Sequence, residues 1–245
     1  MNKSTISKKI LFWYDNNKRI LPWRKNTSKE QKLYFTLVSE FMLQQTQVST
    51  VIPYFKRFVQ KIPNFKKLSR INDQTLMKLW EGLGYYSRAR NLKKSAIMIV
   101  NKFGGILPSN FEDLKSLPGV GDYTSTAIMA IAFNQKFIPL DGNVERILKR
   151  VLFLRCDKDI SKENMQISKS FFGLSERASD YAQAIMELGA LVCRPTSPLC
   201  EMCPINRNCI AYKRKDFTLI KKIHNKLYTN FKSYEWVKKL IFDQE

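Results

Sequence analysis

The chain has 245 residues, 44% of them apolar, with only nine glycines and nine prolines, so it can form one large or two small packed domains. Forty-two Lys and Arg against twenty-one Asp and Glu give a net charge of +21, which favours a polyanionic partner because cations near phosphates release counterions, although a lysine-rich composition bias contributes to the same number. No run of about 18 apolar residues occurs, MNKSTISKKI lacks an apolar export segment, and the single histidine, His224, argues against a Ser-His-Asp triad and against His-ligated zinc catalysis; a cytoplasmic, nucleoid-associated protein working through carboxylates, cysteines or lysines is expected.

Ile6, Ile10, Leu11, Trp13 and Tyr14 recur at helical spacing and predict a first helix ending before the turn Leu21-Pro22-Trp23-Arg24. From Lys29 to Gln45 the run Leu33 to Leu43 is too apolar for a surface helix, yet carries Glu40 near its centre. A carboxylate there needs a partner or a task. After Gln44-Gln45-Thr46-Gln47, the residues Val51, Ile52, Phe55, Phe58 and Val59 mark another helix with Pro53 near its start. Leu76, Leu79 and Trp80 predict a short helix stopped by Gly82-Leu83-Gly84. The stretch Tyr85 to Lys94 then opens a helix closing at Gly104-Gly105, with aromatic and basic residues together at one end. Rings beside cations suit DNA; a solvated helix face with two tyrosines partly in the core fits the same residues.

The capping box Ser109-x-x-Glu112, the turn Leu117-Pro118-Gly119-Val120-Gly121 and a helical segment Asp122–Asn134 read as helix, glycine hairpin, helix. Gly119 and Gly121 are expected to allow positive φ and close approach of a partner, with the opening amides of the next helix as an anion site; an ordinary helix-to-helix turn is the alternative. Downstream, in Pro139-Leu140-Asp141-Gly142-Asn143-Val144, Asp141 either projects toward what the hairpin holds or caps the helix opening near Val144. Val144–Phe153, Ser161–Phe172 and Asp180–Val192 read as helices, the last with Ala184, Ile185, Leu188 and Leu191 inward. With no convincing strand alternation, the class is all-α. The segment from Ile210 is a helix or a basic arm.

Five cysteines without an export segment do not predict a disulfide framework. Apart from Cys156 they fall in Cys193-x6-Cys200-x2-Cys203-x5-Cys209, close enough to converge on one metal centre. The spacing favours a [4Fe–4S] cluster over zinc, because only Cys200 and Cys203 form a close pair; buried cysteines clustered without a metal are the alternative. Arg194, Arg207, Lys213, Arg214 and Lys215 flank the loop, so a metal would hold a DNA-facing basic loop in shape.

LPWR at 21–24, SEFMLQQTQVSTVIPYF at 39–55, GLGYYSRARNL at 82–92, LPGVG at 117–121, LDGNV at 140–144 and the cysteine loop together resemble the helix-hairpin-helix base-excision glycosylases, the superfamily of endonuclease III, and within it the MutY branch. The resemblance covers residues 8–212. It implies two helical domains, a six-helix barrel over 29–134 holding the hairpin and a cluster domain built from 1–28 and 135–212, followed by a basic tail at 213–245. It further implies a [4Fe–4S] cluster on Cys193, Cys200, Cys203 and Cys209, an active site in the cleft between the domains, and a monomer acting on duplex DNA that contains a mismatched adenine.

Lyase-type relatives carry a lysine second after LPGVG; Tyr123 stands there, so a Schiff base is not expected and the enzyme reads as monofunctional. Adenine leaves poorly as an anion, so Glu40 is expected to protonate N7, its pKa raised by Leu37, Phe41 and Leu43. Asp141 stabilises or adds to the oxocarbenium-like sugar, as paired glycosidase carboxylates do, and water completes hydrolysis. For the flipped base, the resemblance puts Gln183 at the adenine edge, Gln45 and Tyr85 beside the opposing base, and Thr46 and Leu83 nearby. Arg24, Arg88, Gly119, Gly121 and Asn143 join them as DNA-binding positions. MutY enzymes usually carry a further domain that reads 8-oxoguanine; the 36 residues after Cys209 are too few, which lowers the expectation of oxoguanine discrimination. Asp122 and the polar Thr124-Ser125-Thr126 are expected to weaken the hairpin's grip, with the basic tail compensating. A relative acting on a T:G mismatch or an oxidised pyrimidine, or a non-catalytic DNA-binding protein, are the other readings.

Overall fold

In the computed structural model, residues 3–25, 27–154, 168 and 170–217 are described, and all their regular structure is helical. The helix expected over Ser161–Phe172 falls largely outside them, as do Cys156, His224 and most of the basic tail. Contacts divide the chain into two units, one from the described residues of Met1–Lys18 and Leu140–Glu245, the other Arg19–Pro139.

The Arg19–Pro139 unit is built around α2 (Lys29–Leu43), started by Ser28, whose side chain accepts from the Gln31 amide at 3.2 Å. Every residue from Leu33 to Met42 is buried, as an apolar surface all round the helix requires. Packed in the same unit are α3 (Val48–Lys61), α4 (Phe65–Arg70), α5 (Asp73–Trp80), α6 (Ser87–Lys102), α7 (Phe111–Lys115) and α8 (Asp122–Ile131). Edge-to-face pairs knit the core, with ring centroids 5.3 Å apart for Trp23 and Phe55, 5.1 Å for Tyr34 and Phe65, and 6.0 Å for Phe58 and Trp80. The Trp80 indole N–H donates to the Gly84 carbonyl at 3.2 Å, closing the turn after α5.

Local chemistry moves several expected boundaries. Asn110, not Ser109, caps α7, accepting from the Asp113 amide at 2.9 Å, so the expected capping box does not form. Pro53 lies inside α3, which begins at Val48, before the apolar pattern shows itself. The helix after the hairpin ends at Ile131 instead of Asn134, where Asn134 turns the chain at φ 54°. The six-residue α4, capped by Asn64, is too short to display a period and had no expectation.

The second unit packs α1 (Lys3–Asn17) on α10 (Ala178–Leu191), which also contacts α9 (Gly142–Leu152); α9 in turn contacts α11 (Ile210–Lys213). Ile6, Ile10 and Tyr14 of α1 and Ala184, Ile185 and Leu188 of α10 are fully buried, while Leu191 is half-exposed. At its edge the Arg177 guanidinium grips both oxygens of Asp15 at 2.6 and 2.9 Å, 162 residues away in sequence. Among the described residues no helix is long and apolar enough to cross a membrane.

Candidate functional site

In the hairpin between α7 and α8, Gly119 adopts φ 82°, and an added Cβ would lie 2.9 Å from Phe41 Cε1 and 2.9 Å from Asn91 Cβ, so only glycine fits. Gly121 behaves differently from expectation. It is the extended N-cap of α8 at φ −96°, a conformation open to any residue, and nothing lies within 4 Å of a Cβ built there. Ser95 Oγ donates to the Pro118 carbonyl at 2.8 Å and fixes the turn from α6. Asp122, expected to weaken the hairpin's hold on an anion, is paired with Lys115 Nζ at 2.6 Å, which raises the lysine's pKa above its ordinary value through that hydrogen bond.

Besides Asn134, two exposed side chains in the same unit stand on left-handed backbone. Gln45 follows α2 at φ 55° and Tyr85 precedes α6 at φ 48°, the tyrosine 62% exposed. Neither is glycine, and such a conformation costs about 1 kcal/mol each, a pattern concentrated at working sites. Tyr86, Arg90 and Lys94 are exposed beside them, so the aromatic and basic grouping reaches the surface. Arg88 and Leu83 do not join it. Leu83 is 6% exposed and belongs to the core. Arg88, also 6% exposed, directs Nη1 to the carbonyls of Phe41, Met42 and Gln44 and to Thr46 Oγ1, and Nη2 to the carbonyls of Leu83 and Gly84. Arg88, expected among the DNA-binding positions, has the terminal nitrogens of its guanidinium turned onto the protein. Arg24 ends a single 3-10 turn, Pro22–Arg24, and Tyr123 is half-buried in the first turn of α8.

Glu40 lies in α2, 5% exposed, with Leu37 and Phe41 fully buried around it. Asp141, in the other unit, is the N-cap of α9. Its Oδ1 accepts from the Asn143 and Val144 amides at 2.9 and 2.7 Å, and its Oδ2 from Asn143 Nδ2 at 2.9 Å. Capping fixes the carboxylate while leaving it half-exposed. Asn143, expected among the DNA-binding positions, therefore orients Asp141, and its own side-chain oxygen accepts from Arg146 Nη2 at 2.7 Å. Arg146 also donates to the carbonyls of Gly189 and Cys193, both at 2.8 Å, and burial pulls its pKa below the ordinary arginine value. Gly189 is a packing requirement, because an added Cβ would sit 2.5 Å from Asn143 Cβ. Gln183 in α10 is 8% exposed, and its amide nitrogen donates to the Ser179 carbonyl of its own helix at 3.1 Å.

Cys193, Cys200, Cys203 and Cys209 are all unbridged and line one pocket closed by α9 and α10 side chains such as Val151 and Leu188. Among the described residues no three His, Cys, Asp or Glu side chains could together hold a single metal ion. Burial is the main cause that raises the thiol pKa values of Cys200, Cys203 and Cys209, Cys203 to about 12. At these three positions burial therefore disfavours the bare thiolate. Arg150 donates to the Arg194 and Pro195 carbonyls at 2.6 and 2.9 Å and lies 3.4 Å from Cys193 Sγ, fixing the entry to the loop.

Sequence reasoning missed the Arg146 and Gly189 positions. The signal available was the crowding of small and polar residues at Gly189 and Asn143, which has meaning only once α9 and α10 are paired.

Residues 38–171 match the model of the HhH-GPD superfamily base excision DNA repair protein. The adenine DNA glycosylase of Rattus norvegicus is 44% identical over 222 residues, covering 86% of this chain and 42% of that protein. That of Buchnera aphidicola subsp. Schizaphis graminum is 39% identical over 216 residues, covering 86% of this chain and 61% of that protein. The chain thus spans roughly two to three fifths of these curated relatives' length. Among solved structures, a thermostable thymine-DNA glycosylase superposes with a TM-score of 0.76 at 25% identity, over 86% of this chain and 97% of that one. A non-covalent endonuclease III–DNA complex gives 0.69 at 22%, over 88% and 98%. The helical architecture, the glycine hairpin and these matches agree: the chain belongs to the HhH-GPD superfamily of base excision DNA repair proteins.

Proposed function

We propose that this chain is a monofunctional DNA glycosylase that hydrolyses the N-glycosidic bond of adenine mispaired with 8-oxoguanine or guanine in duplex DNA. The observation that carries the reading is the 44% identity to a curated adenine DNA glycosylase, well above the 25% shared with the thymine-DNA enzyme. Glu40, buried in an apolar helix, is the acid that protonates N7 of the extruded adenine as the C1′–N9 bond breaks. Asp141 faces the cationic sugar, held in one rotamer by two backbone amides and Asn143 so that no reorganisation is needed as charge develops. The reading requires both carboxyl groups to reach one nucleotide. Tyr123 occupies the place where lyase relatives have an amine, so water adds at C1′ as the adenine leaves, and the abasic sugar stays in an unbroken strand. Gly121, free of any intrachain demand for glycine, leaves room for a phosphate at the first turn of α8. Arg24 and Thr46 border the loops that meet the duplex, and Gln183 recognises the adenine edge once its amide turns from Ser179.

The cysteine pocket fits a four-thiolate [4Fe–4S] cluster better than a single ion, since the four side chains share a pocket without converging on one point. Such a cluster supplies a fixed scaffold for the loop between Cys193 and Cys209. Purified protein is expected to contain four iron and four acid-labile sulfide per chain, and Cys203→Ser to lose both; retention of the full complement in the variant would reject this ligand set.

The test of the activity uses A:8-oxoG, A:G, T:G and oxidised-pyrimidine duplexes, each assayed for strand scission with and without alkali. Cleavage of the two adenine mispairs only after alkali is expected. Scission without alkali would identify a lyase, cleavage at T:G alone the thymine-specific alternative, and binding without base release a non-catalytic DNA-binding protein. The same duplexes at rising salt report how many phosphates the protein neutralises, since removing one cation from that set lowers the slope by about one.

A further inference from the structure

Arg88 has no place in the chemistry above, yet its guanidinium meets six acceptor groups. Its two terminal nitrogens divide their work. Nη1 takes the end of α2 and the loop beyond, with the Met42 carbonyl at 2.9 Å, the Gln44 carbonyl in close contact and Thr46 Oγ1 at 3.1 Å. Nη2 takes the turn before α6, with the Leu83 carbonyl at 3.0 Å and the Gly84 carbonyl at 3.1 Å. The first set immediately flanks Gln45 on both sides, and the second immediately precedes Tyr85. These are the two exposed, non-glycine residues on left-handed backbone in their unit that precede α6. The guanidinium also lies against the rings of Trp80 and Tyr85, 5.7 and 5.6 Å from their centroids.

We propose that Arg88 is a positioning residue that locks the Gln45 and Tyr85 loops into one register, so that both exposed side chains meet the duplex as a single rigid unit. A planar fork with two separated nitrogens can serve both loops at once, whereas a lysine's single nitrogen reaches one or the other. Simultaneous seating matters because two side chains that enter a duplex independently must each be ordered on binding, while a preassembled pair is ordered already. The proposal rests on the glycosylase reading for what the loops touch, but the coupling of the loops to each other is a property of the free protein.

The experiment uses the full chain, its Arg88→Lys variant and a core control, Phe58→Leu, whose loss of thermal stability is matched to it. Amide hydrogen exchange without DNA is expected to rise at least tenfold at both 43–47 and 82–86 in Arg88→Lys and at neither in the control. Affinity for an A:8-oxoG duplex relative to a fully paired one, measured with Glu40→Gln present to prevent turnover, is expected to fall at least tenfold in Arg88→Lys alone. Loosening of only one loop, or of both loops with the affinity ratio within twofold of the parent, overturns the proposal. Should Arg88→Lys fail to fold, Thr46→Val removes one arm's side-chain partner and is read by the same two measurements, with the smaller expectation of a threefold change in each. A parent protein that does not distinguish mispaired from paired duplex refutes the glycosylase reading, and the exchange arm then decides the coupling of the loops by itself.

Discussion

Glu40 and Asp141 sit in opposite kinds of surroundings. Glu40 lies in the last turn of α2, within a stretch buried from Leu33 to Met42. Asp141 stands at a helix start, half-exposed, and its position is set by three hydrogen-bond donors within three residues of it. In the proposed reaction the buried carboxyl group gives the proton, and the one held in place by amide donors faces the cation. The same functional group thus stands in two settings, one inside a buried helical run and one at an open helix start.

Glu40→Gln is the largest break expected, lowering single-turnover adenine release by about a thousandfold or more, since general-acid contributions run from about 10² to 10⁴. Duplex affinity should hold within a few-fold, so a gel-shift beside the kinetics separates chemistry from binding. Asp141→Asn keeps an oxygen for the Asn143 and Val144 amides, so release should fall about a hundredfold with little change in melting temperature. Asp141→Ala loses the cap as well and should be less stable than Asp141→Asn by about 1 kcal/mol in urea titration. Gly189→Ala tests the loop from behind. Its methyl group, 2.5 Å from Asn143 Cβ, must push α9 and α10 apart, at a cost of about 1–3 kcal/mol, with adenine release slowed while the fold persists. Arg177→Ala is the smallest: it removes an exposed grip on Asp15 and should change stability by less than about 1 kcal/mol, with no effect on release.

The sequence made local features plain and distant ones obscure. The long apolar run with a carboxyl group inside it declared α2, because burial on all sides leaves a one-dimensional pattern. Asp141 was legible both as a cap and as a candidate carboxylate, and the cap is realised. The intrachain engagement of Arg88 is not legible in the sequence, because the carbonyls it meets include that of Met42, 46 residues away. The spacing held a clue: Arg88, Leu92, Ser95 and Ile99 fall at helical intervals, and all four are buried, so α6 turns its arginine inward with the rest of that face. The choice between Asn110 and Ser109 as cap, and the extended form of Gly121, turn on one residue of chain path, which no periodicity resolves.

That Gly121 is extended and uncrowded has a consequence for how its loss would be noticed. Gly121→Ala should express, melt and elute like the parent, because the unliganded chain offers the new methyl group empty space. A screen for misfolded variants would pass it. Its defect would surface only against a polyanion, as a weakened grip wherever the phosphodiester must come within touching distance of the main chain, making this position a silent reporter of how closely the two backbones approach.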